Sequence, residues 1–328
     1  MLKIGNKVLK INDRWLKGPD IDPLNPLGLP PYTLRLKFRD TYDPTSRSGT
    51  WRQVSSSPNV WDWTNESSNW CGSFAGESYL LEVLGGNTTG VTTMGNMVGG
   101  GMFGGCSSLT TVPLFDTSNV TNMQQMFSNC SSLTTVPLYD TSNVTNMQQM
   151  FDGCSSLTTV PLFNTSNVTN IGRMFYNCSS LTTVPLFNTS KVITISVNDI
   201  GLFENCSSLT SVPLFDTSNV TDFQRMFRGC TSLTTVPLFN TSKASSLNHM
   251  LRNCTSLTSI PLFDTSYVTT MNYAFNGCTN VQNGALALYN QASTQSYPPS
   301  NHNRTFTNCG SNTTTGAAEL AQIPSDWK

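Results

Sequence analysis

The sequence predicts an α/β solenoid, a curved stack of short parallel strands and short helices preceded by a small β cap. Three observations carry that expectation. The line CSSLTTVPLFDTSNVTNMQQMF, starting at Cys106, returns almost unchanged from Cys130. One apolar column, Phe74, Phe103, Phe127, Phe151, Phe175, Phe203, Phe227, Leu251, Phe275 and Phe306, repeats every 24 residues except for three longer gaps. Within each unit the apolar spacing changes from strand-like to helix-like, so every unit carries one of each.

The elements follow in order. Residues 1–30 are rich in Pro and Lys and read as an attachment arm. A small β-rich cap is expected over 31–73: Tyr32 to Phe38 alternates strictly, as a half-buried strand does, and Trp51, Trp61, Trp63 and Trp70 crowd behind it as its core. The repeats occupy 74–283. In their first half, Leu109, Val112 and Leu114 set a strand pattern with β-branched residues between them. A proline at 113, 137, 161, 185, 213, 237 and 261 interrupts the ladder at the same place in every unit, because proline has no N–H to give. In the second half, Thr121 with Gln124 has capping-box spacing, and Val120, Met123, Met126 and Phe127 form one helical face. Strands stack at about 4.8 Å and helices at about 8–10 Å, which would bend the stack with the strands inside. The remainder, 284–328, holds a longer helix from Gly284 to Ser293 and reads as a C-terminal capping region, since a repeat stack needs closing at both ends.

Composition narrows the function. Charged residues are 11% of 328 and the formal net charge is −1, so there is no basic stripe for nucleic acid. No run approaches the roughly 20 apolar residues of a membrane span, and the opening MLKIGNKVLKINDRWLKG lacks the apolar segment of a signal peptide. Cys106, Cys130, Cys154 and Cys178 are 24 apart, as are Cys206, Cys230, Cys254 and Cys278. Equivalent positions have equivalent surroundings, and pairing neighbours two by two would break that equivalence. All eight are expected as buried structural thiols, small hydrophobes of a chain made in a reducing cytoplasm.

Chemistry is sparse. His249 falls in a column held by Gln125 and Gln149 and is expected in solvent, and His302 lies in a polar loop. Eight cysteines that share one environment offer no special nucleophile. No catalytic, metal or cofactor site is expected. Asp116, Asp140, Asp216 and Asp264 exchange with Asn164, Asn188 and Asn240, so only the shared acceptor oxygen matters there, as in a turn cap. The candidate ligand site is a second aromatic column: Phe115, Tyr139, Phe163, Phe187, Phe215, Phe239 and Phe263. If alternation continues from Val112 through Leu114, these rings face the concave side beside Thr111, Thr135 and Thr159, a surface for stacking sugars. If the strand ends at Leu114, each ring tucks under the turn that follows. Seven exposed rings would make an unusually large apolar patch, which favours burial.

The residues F-x-x-C-x-S-L and DTSNVTNM-x-x-MF resemble the BspA-type leucine-rich repeats of bacterial surface proteins and, more closely, repeat proteins of gut bacteriophages and prophages. The flanks LPPYTLRLKF, NVWDWT and NCGSNTTTGAAELAQIPSDWK are similar to those of the phage-borne copies. The resemblance implies a curved leucine-rich-repeat stack and a non-enzymatic role in a phage virion. There the solenoid of a tail or fibre-tip protein would bind a host-surface receptor, glycan or protein. The N-terminal region would contact other virion proteins, and self-association would follow the habit of tail fibres. The alternatives it leaves are a purely structural virion component packed against other subunits, or a bacterial surface adhesin. A virion protein made in the host cytoplasm needs no signal peptide and no membrane insertion.

Overall fold

The computed structural model describes residues 27–39, 43–46, 49–54, 59–65, 67–70, 73–96 and 100–328, together with the backbone of four two-residue strands nearer the start. These are β1 (Lys3–Ile4) paired with β2 (Lys7–Val8), and β3 (Lys10–Ile11) paired with β4 (Arg14–Trp15), both antiparallel. Most of the expected attachment arm, and Cys71, lie outside the described residues.

A four-stranded antiparallel sheet closes the first end of the stack. It runs β6 (Thr50–Gln53), β7 (Val60–Thr64), β5 (Thr33–Phe38), β8 (Leu80–Asn87). Alternation places Leu34, Leu36 and Phe38 of β5 in the core with no exposed surface. Trp63 and Trp70 join them, fully buried, and Trp63 meets Phe74 edge-on at 4.7 Å between ring centres. On the other face Arg35 grips Asp62 with two hydrogen bonds, 2.6 and 2.9 Å, and Arg52 adds a third at 2.7 Å. Burial pushes the Asp62 carboxyl up, but the bonds and charge of Arg35 and then Arg52 outweigh it and hold it below the usual carboxylate range. The sheet does not stop at residue 73. β8 belongs to the first repeat unit, pairing antiparallel with β5 on one edge and meeting Thr111 in parallel on the other. It splices cap to stack.

The repeating units stack as expected, but the main ladder runs through the half that the pattern assigned to a helix. The half expected as a helix forms no helix. Gln125 and Asn129 both sit at φ 60°, and Gln149, Gly153, Arg173 and Asn177 repeat this left-handed pair in the next two units. Two such residues four apart break any helix. Instead the N–H groups of Met126, Ser128 and Cys130 close i→i+3 turns onto Met123, Gln125 and Phe127 at 3.0–3.2 Å. Between them, the N–H groups of Met123, Gln125 and Phe127 donate to Asn146, Gln148 and Met150 of the next unit at 3.0 Å. The parallel ladder therefore runs here, through bridges Asn122–Asn146–Asn170–Thr194 and Asp222–Ser246–Thr270–Asn301. β11 (Asn122–Met123), parallel to β9 (Thr93–Asn96), starts it, and β10 (Gly100–Gly101) flanks β9.

The reason is spacing. Phe103, Phe127, Phe151, Phe175, Phe203 and Phe227 stack face to face at 5.5–5.8 Å. Units that advance by so little leave no room for helices, whose axes pack at about 8–10 Å. The second aromatic column advances by 5.9–6.5 Å from Phe115 to Tyr139 and from Phe187 through Phe239. With turns in place of helices in that half, the helix–strand spacing difference expected to bend the stack does not arise. The expected short helices are corrected here.

Among the described residues, α-helices come only at the far end: α1 (Ala285–Thr294) and α2 (Thr314–Gln322), the latter capped by the Thr313 hydroxyl, which accepts from the Gly316 N–H at 3.1 Å. Trp327 then takes the place of the next ring in the stack. Its carbonyl accepts from the Phe306 N–H, and its ring lies over Phe306 at 6.3 Å and against His302 at 4.1 Å. A tryptophan thus closes the ring column at each end.

One joint is irregular. Four extra residues between Lys191 and Phe203 turn back on themselves through Val197 and Ile200. Elsewhere a buried threonine hydroxyl donates to a carbonyl of the next unit, as Thr117 does to Asp140, Thr141 to Asn164 and Thr165 to Asn188, at 2.7–2.9 Å. Thr189, buried at the irregular joint, has no partner for its hydroxyl. A small apolar void beside it is lined by Thr189, Ile171, Phe187, Leu202 and Phe215.

Candidate functional site

In four units a γ-turn decides which residues meet solvent. Phe163, Phe187, Phe239 and Phe263 each donate their N–H two residues back, to the carbonyl of the preceding proline, at 2.9–3.0 Å. Proline fixes φ near −65° and an inverse γ-turn follows it readily. The turn reverses the inside–outside alternation. Leucine goes out and the aromatic goes in.

The candidate sugar platform is therefore corrected. Phe115, Tyr139, Phe163, Phe187, Phe215, Phe239 and Phe263 are all buried, none more than 6% exposed. They pack against the first ring column, Phe163 on Phe151 at 6.2 Å and Phe187 on Phe175 at 6.4 Å. They stack on one another and on their neighbours, and no ligand can reach their faces. Thr111, Thr135 and Thr159 are exposed, as the platform required, but what lies beside them is leucine.

Leu138, Leu162, Leu186, Leu214, Leu238 and Leu262 stand 52–60% exposed, one per unit, in a straight register. The segments from each cysteine to its aromatic, such as CSSLTTVPLF, contain no charged residue in any of these units. The face is thus a stripe of leucines bordered by threonine and serine hydroxyls, with the exposed Asp140, Asp216 and Asp264 two residues past Leu138, Leu214 and Leu262. With roughly 100 Å² bare on each leucine, the stripe amounts to about 600 Å², the upper end of what soluble monomers carry and a mark of an interaction surface. Reasoning from the strand pattern placed this column inside. The proline one residue before it was the available signal, because the proline that spoils the ladder also makes the turn.

The turn half of the units carries ion pairs. Arg173 pairs with Asp152 at 2.7 Å and Arg228 with Glu204 at 2.6 Å. Burial raises the Asp152 carboxyl despite the opposing charge of Arg173. His249 is not the solvated side chain expected. It is half-buried and stacked on Tyr273 at 4.9 Å. Burial, then the charges of Arg252, Arg225 and Arg228, bring its pKa down to about 4.

Cys106, Cys130, Cys154, Cys178, Cys206, Cys230, Cys254 and Cys278 are fully buried and unbridged. Each thiol donates to the carbonyl of the preceding unit's column residue, Phe74 for Cys106 and Leu251 for Cys278, at 3.0–3.1 Å. Burial pushes the Cys278 thiol up to about 12 and the Cys154 thiol higher. These groups tie units together. In the Asp/Asn column, Asp140, Asn164 and Asp216 each accept the N–H two residues on at 3.0–3.1 Å, the turn cap their exchange suggested. Among the described residues no group of three or more His, Cys, Asp or Glu could hold a metal ion, and no helix is long and apolar enough to cross a membrane.

Stacked units joined by backbone bonds, with one periodic face and closed ends, define a repeat solenoid. Its family is then plain. Residues 96–199 and 198–311 match the family described as "Mycoplasma protein of unknown function, DUF285", and the chain belongs to it. The two matched stretches meet in the irregular joint. Among solved structures, a leucine-rich repeat protein from Eubacterium ventriosum is 19% identical, covering 72% of this chain and 68% of its own, with a TM-score of 0.40. One from Bacteroides ovatus is 18% identical over 86% of this chain and 90% of its own, TM-score 0.32. One from T. pallidum is 14% identical over 79% of this chain and 100% of its own, TM-score 0.32. No curated protein matches the chain.

Proposed function

We propose that this chain is a non-enzymatic recognition protein of the BspA-like leucine-rich-repeat kind, whose leucine and threonine face holds a protein partner. The observation that carries the reading is the uncharged stripe of six exposed leucines, which the core does not need and solvent does not favour. The setting we propose is a phage tail or fibre tip, with the N-terminal region joined to other virion proteins and the stripe turned to a receptor on the host cell. The resemblance of the repeats and flanks to phage-borne proteins supports that setting. The burial of the second aromatic column moves the proposed partner of this face from glycan to protein.

The test is binding of the tagged full chain to intact gut bacterial cells, read by flow cytometry. A variant with Leu162, Leu186, Leu214 and Leu238 changed to serine serves as the comparison, because these side chains are already mostly in solvent. Binding to one strain that the variant loses at unchanged melting temperature is the expected result. Absence of binding to every strain, or equal binding by the variant, refutes it. The second reading, a structural component packed against other subunits, is favoured by the apolar character of the same stripe. It predicts that antibody to the leucine face fails to label intact particles, whereas a receptor face is labelled.

A further inference from the structure

The last repeat departs from its predecessors at an exposed position. Earlier units carry Asn143, Asn167, Lys191, Asn219 and Lys243 there, and these side chains run a ladder along the edge. Asn143 donates to the Ser118 carbonyl at 2.7 Å and Asn167 to that of Ser142 at 2.8 Å. Lys191 reaches Asn167 at 2.8 Å and Lys243 reaches Asn219 at 3.0 Å. The next position is Tyr267, 72% exposed. Neither packing nor the ladder calls for a ring here. Beside it stands Tyr297, 84% exposed, on the loop that follows α1. The two tyrosines flank an open cavity of about 350 Å³, lined also by Ser266, Thr269, Pro298 and Ser300. That volume lies within the range of small-ligand sites, roughly 300–1,000 Å³.

The loop is held to the repeat that carries Tyr267. The Gln295 amide donates to the Thr265 carbonyl and to the Tyr297 carbonyl, both at 2.9 Å, while its oxygen accepts from the Thr265 hydroxyl at 2.9 Å. Further along, the Ser300 hydroxyl and the Asn301 N–H both donate to the Thr269 carbonyl, at 3.3 and 3.2 Å. The site is thus fixed before any ligand arrives. No lining residue is charged. Tyrosines offer a flat apolar face and a polar tip at small entropy cost, and hydroxyl side chains lie between them.

We propose that the cleft between Tyr267 and Tyr297 binds a neutral saccharide, whose C–H faces lie on the rings and whose hydroxyls donate to the side-chain oxygens of Ser266, Thr269 and Ser300. An anionic sugar would find no countercharge among the lining residues. None of the six stripe leucines lines the site, which does not depend on them. The experiment presents the full chain to an array of neutral gluco-, manno-, galacto- and N-acetylglucosamine oligosaccharides, with sialylated glycans and a polyproline peptide alongside. The best binder is then titrated by calorimetry. Tyr267→Asn, which restores the residue of earlier units, and Tyr297→Ala are each expected to weaken binding about tenfold at unchanged melting temperature. The Leu162→Ser change is expected to leave it unaltered. The proposal is overturned if no neutral oligosaccharide binds, if only the anionic glycans or the peptide bind, or if both tyrosine variants bind as the parent does.

Discussion

Leu162 and Phe163 are adjacent in the chain and opposite in fate, so alanine at each makes a paired experiment. Phe163 is 2% exposed and stacks on Phe151 at 6.2 Å. An aromatic side chain buries roughly 150–250 Å², worth about 4–6 kcal/mol at about 25 cal/mol per Å² as an upper bound. Retaining the alanine methyl lowers that, and measured buried Phe→Ala changes cost about 3–5 kcal/mol. Leu162 is 59% exposed. With full burial of a leucine worth about 1.5–3 kcal/mol, truncating one that is less than half covered costs about 1 kcal/mol or less. Urea unfolding followed by circular dichroism measures both. Repeat stacks can unfold in parts, so the slopes of the transitions must agree before the midpoints are compared. The expected order is Phe163→Ala far below Leu162→Ala and parent. Equal losses for the two, or a Phe163→Ala protein as stable as the parent, would refute the γ-turn that sends one side chain out and the other in.

Three further outcomes follow from the same geometry. Gly153 has φ 74°, and a Cβ there would lie 2.4 Å from the Asn129 side-chain oxygen, so Gly153→Ala should cost about 1–2 kcal/mol in thermal unfolding, whereas Asn177→Gly at the equivalent place should change little. Thr165→Val removes a bond between units and should lower stability by about 1 kcal/mol, while Thr189→Val removes an unpartnered buried hydroxyl and should be neutral or stabilising. His249, held at about 4 in the folded protein against an ordinary value near 6.5, favours the neutral form on folding. Its contribution is complete above about pH 6.5 and is lost as pH falls towards 4; because the ring is half-exposed the loss is about 1 kcal/mol after screening, and His249→Gln should show that much less acid sensitivity.

Much of this architecture was legible in the residues. The Phe column, the cysteine column and the proline column gave the period, the stacking and the buried thiols, because packing in a repeat must repeat. The longer helix after Gly284 was readable from its composition. The turn-and-ladder half was misread as a helix, since Val120, Met123, Met126 and Phe127 satisfy a helical spacing that a tight run of turns also satisfies. Yet a signal was present. The residue before each of the eight repeat cysteines is Gly105, Asn129, Gly153, Asn177, Asn205, Gly229, Asn253 or Gly277, the two types that accept left-handed backbone at least cost, and all have positive φ. No such signal marks Gln125, Gln149 or Arg173, whose left-handed conformation comes from the stacking itself. The candidate site failed for a related reason: alternation was carried through a proline whose turn inverts it. The tyrosine cleft was hidden because its two halves lie 30 residues apart, one in a repeat and one beyond the last strand.

The four surplus residues between Lys191 and Phe203 divide the column into two courses of regular masonry with a loose shim between them. There the bridge ladder, continuous from Asn122 to Thr194, starts afresh at Asp222; the Phe175 and Asn177 N–H groups still donate to Leu202 and Glu204, and a side-chain bond from Ser196 to Asp222 adds a further link at 2.8 Å. Tension along the axis should part the molecule at that seam, leaving each block with its own tryptophan-sealed end intact. A stack built this way yields in two stages under load.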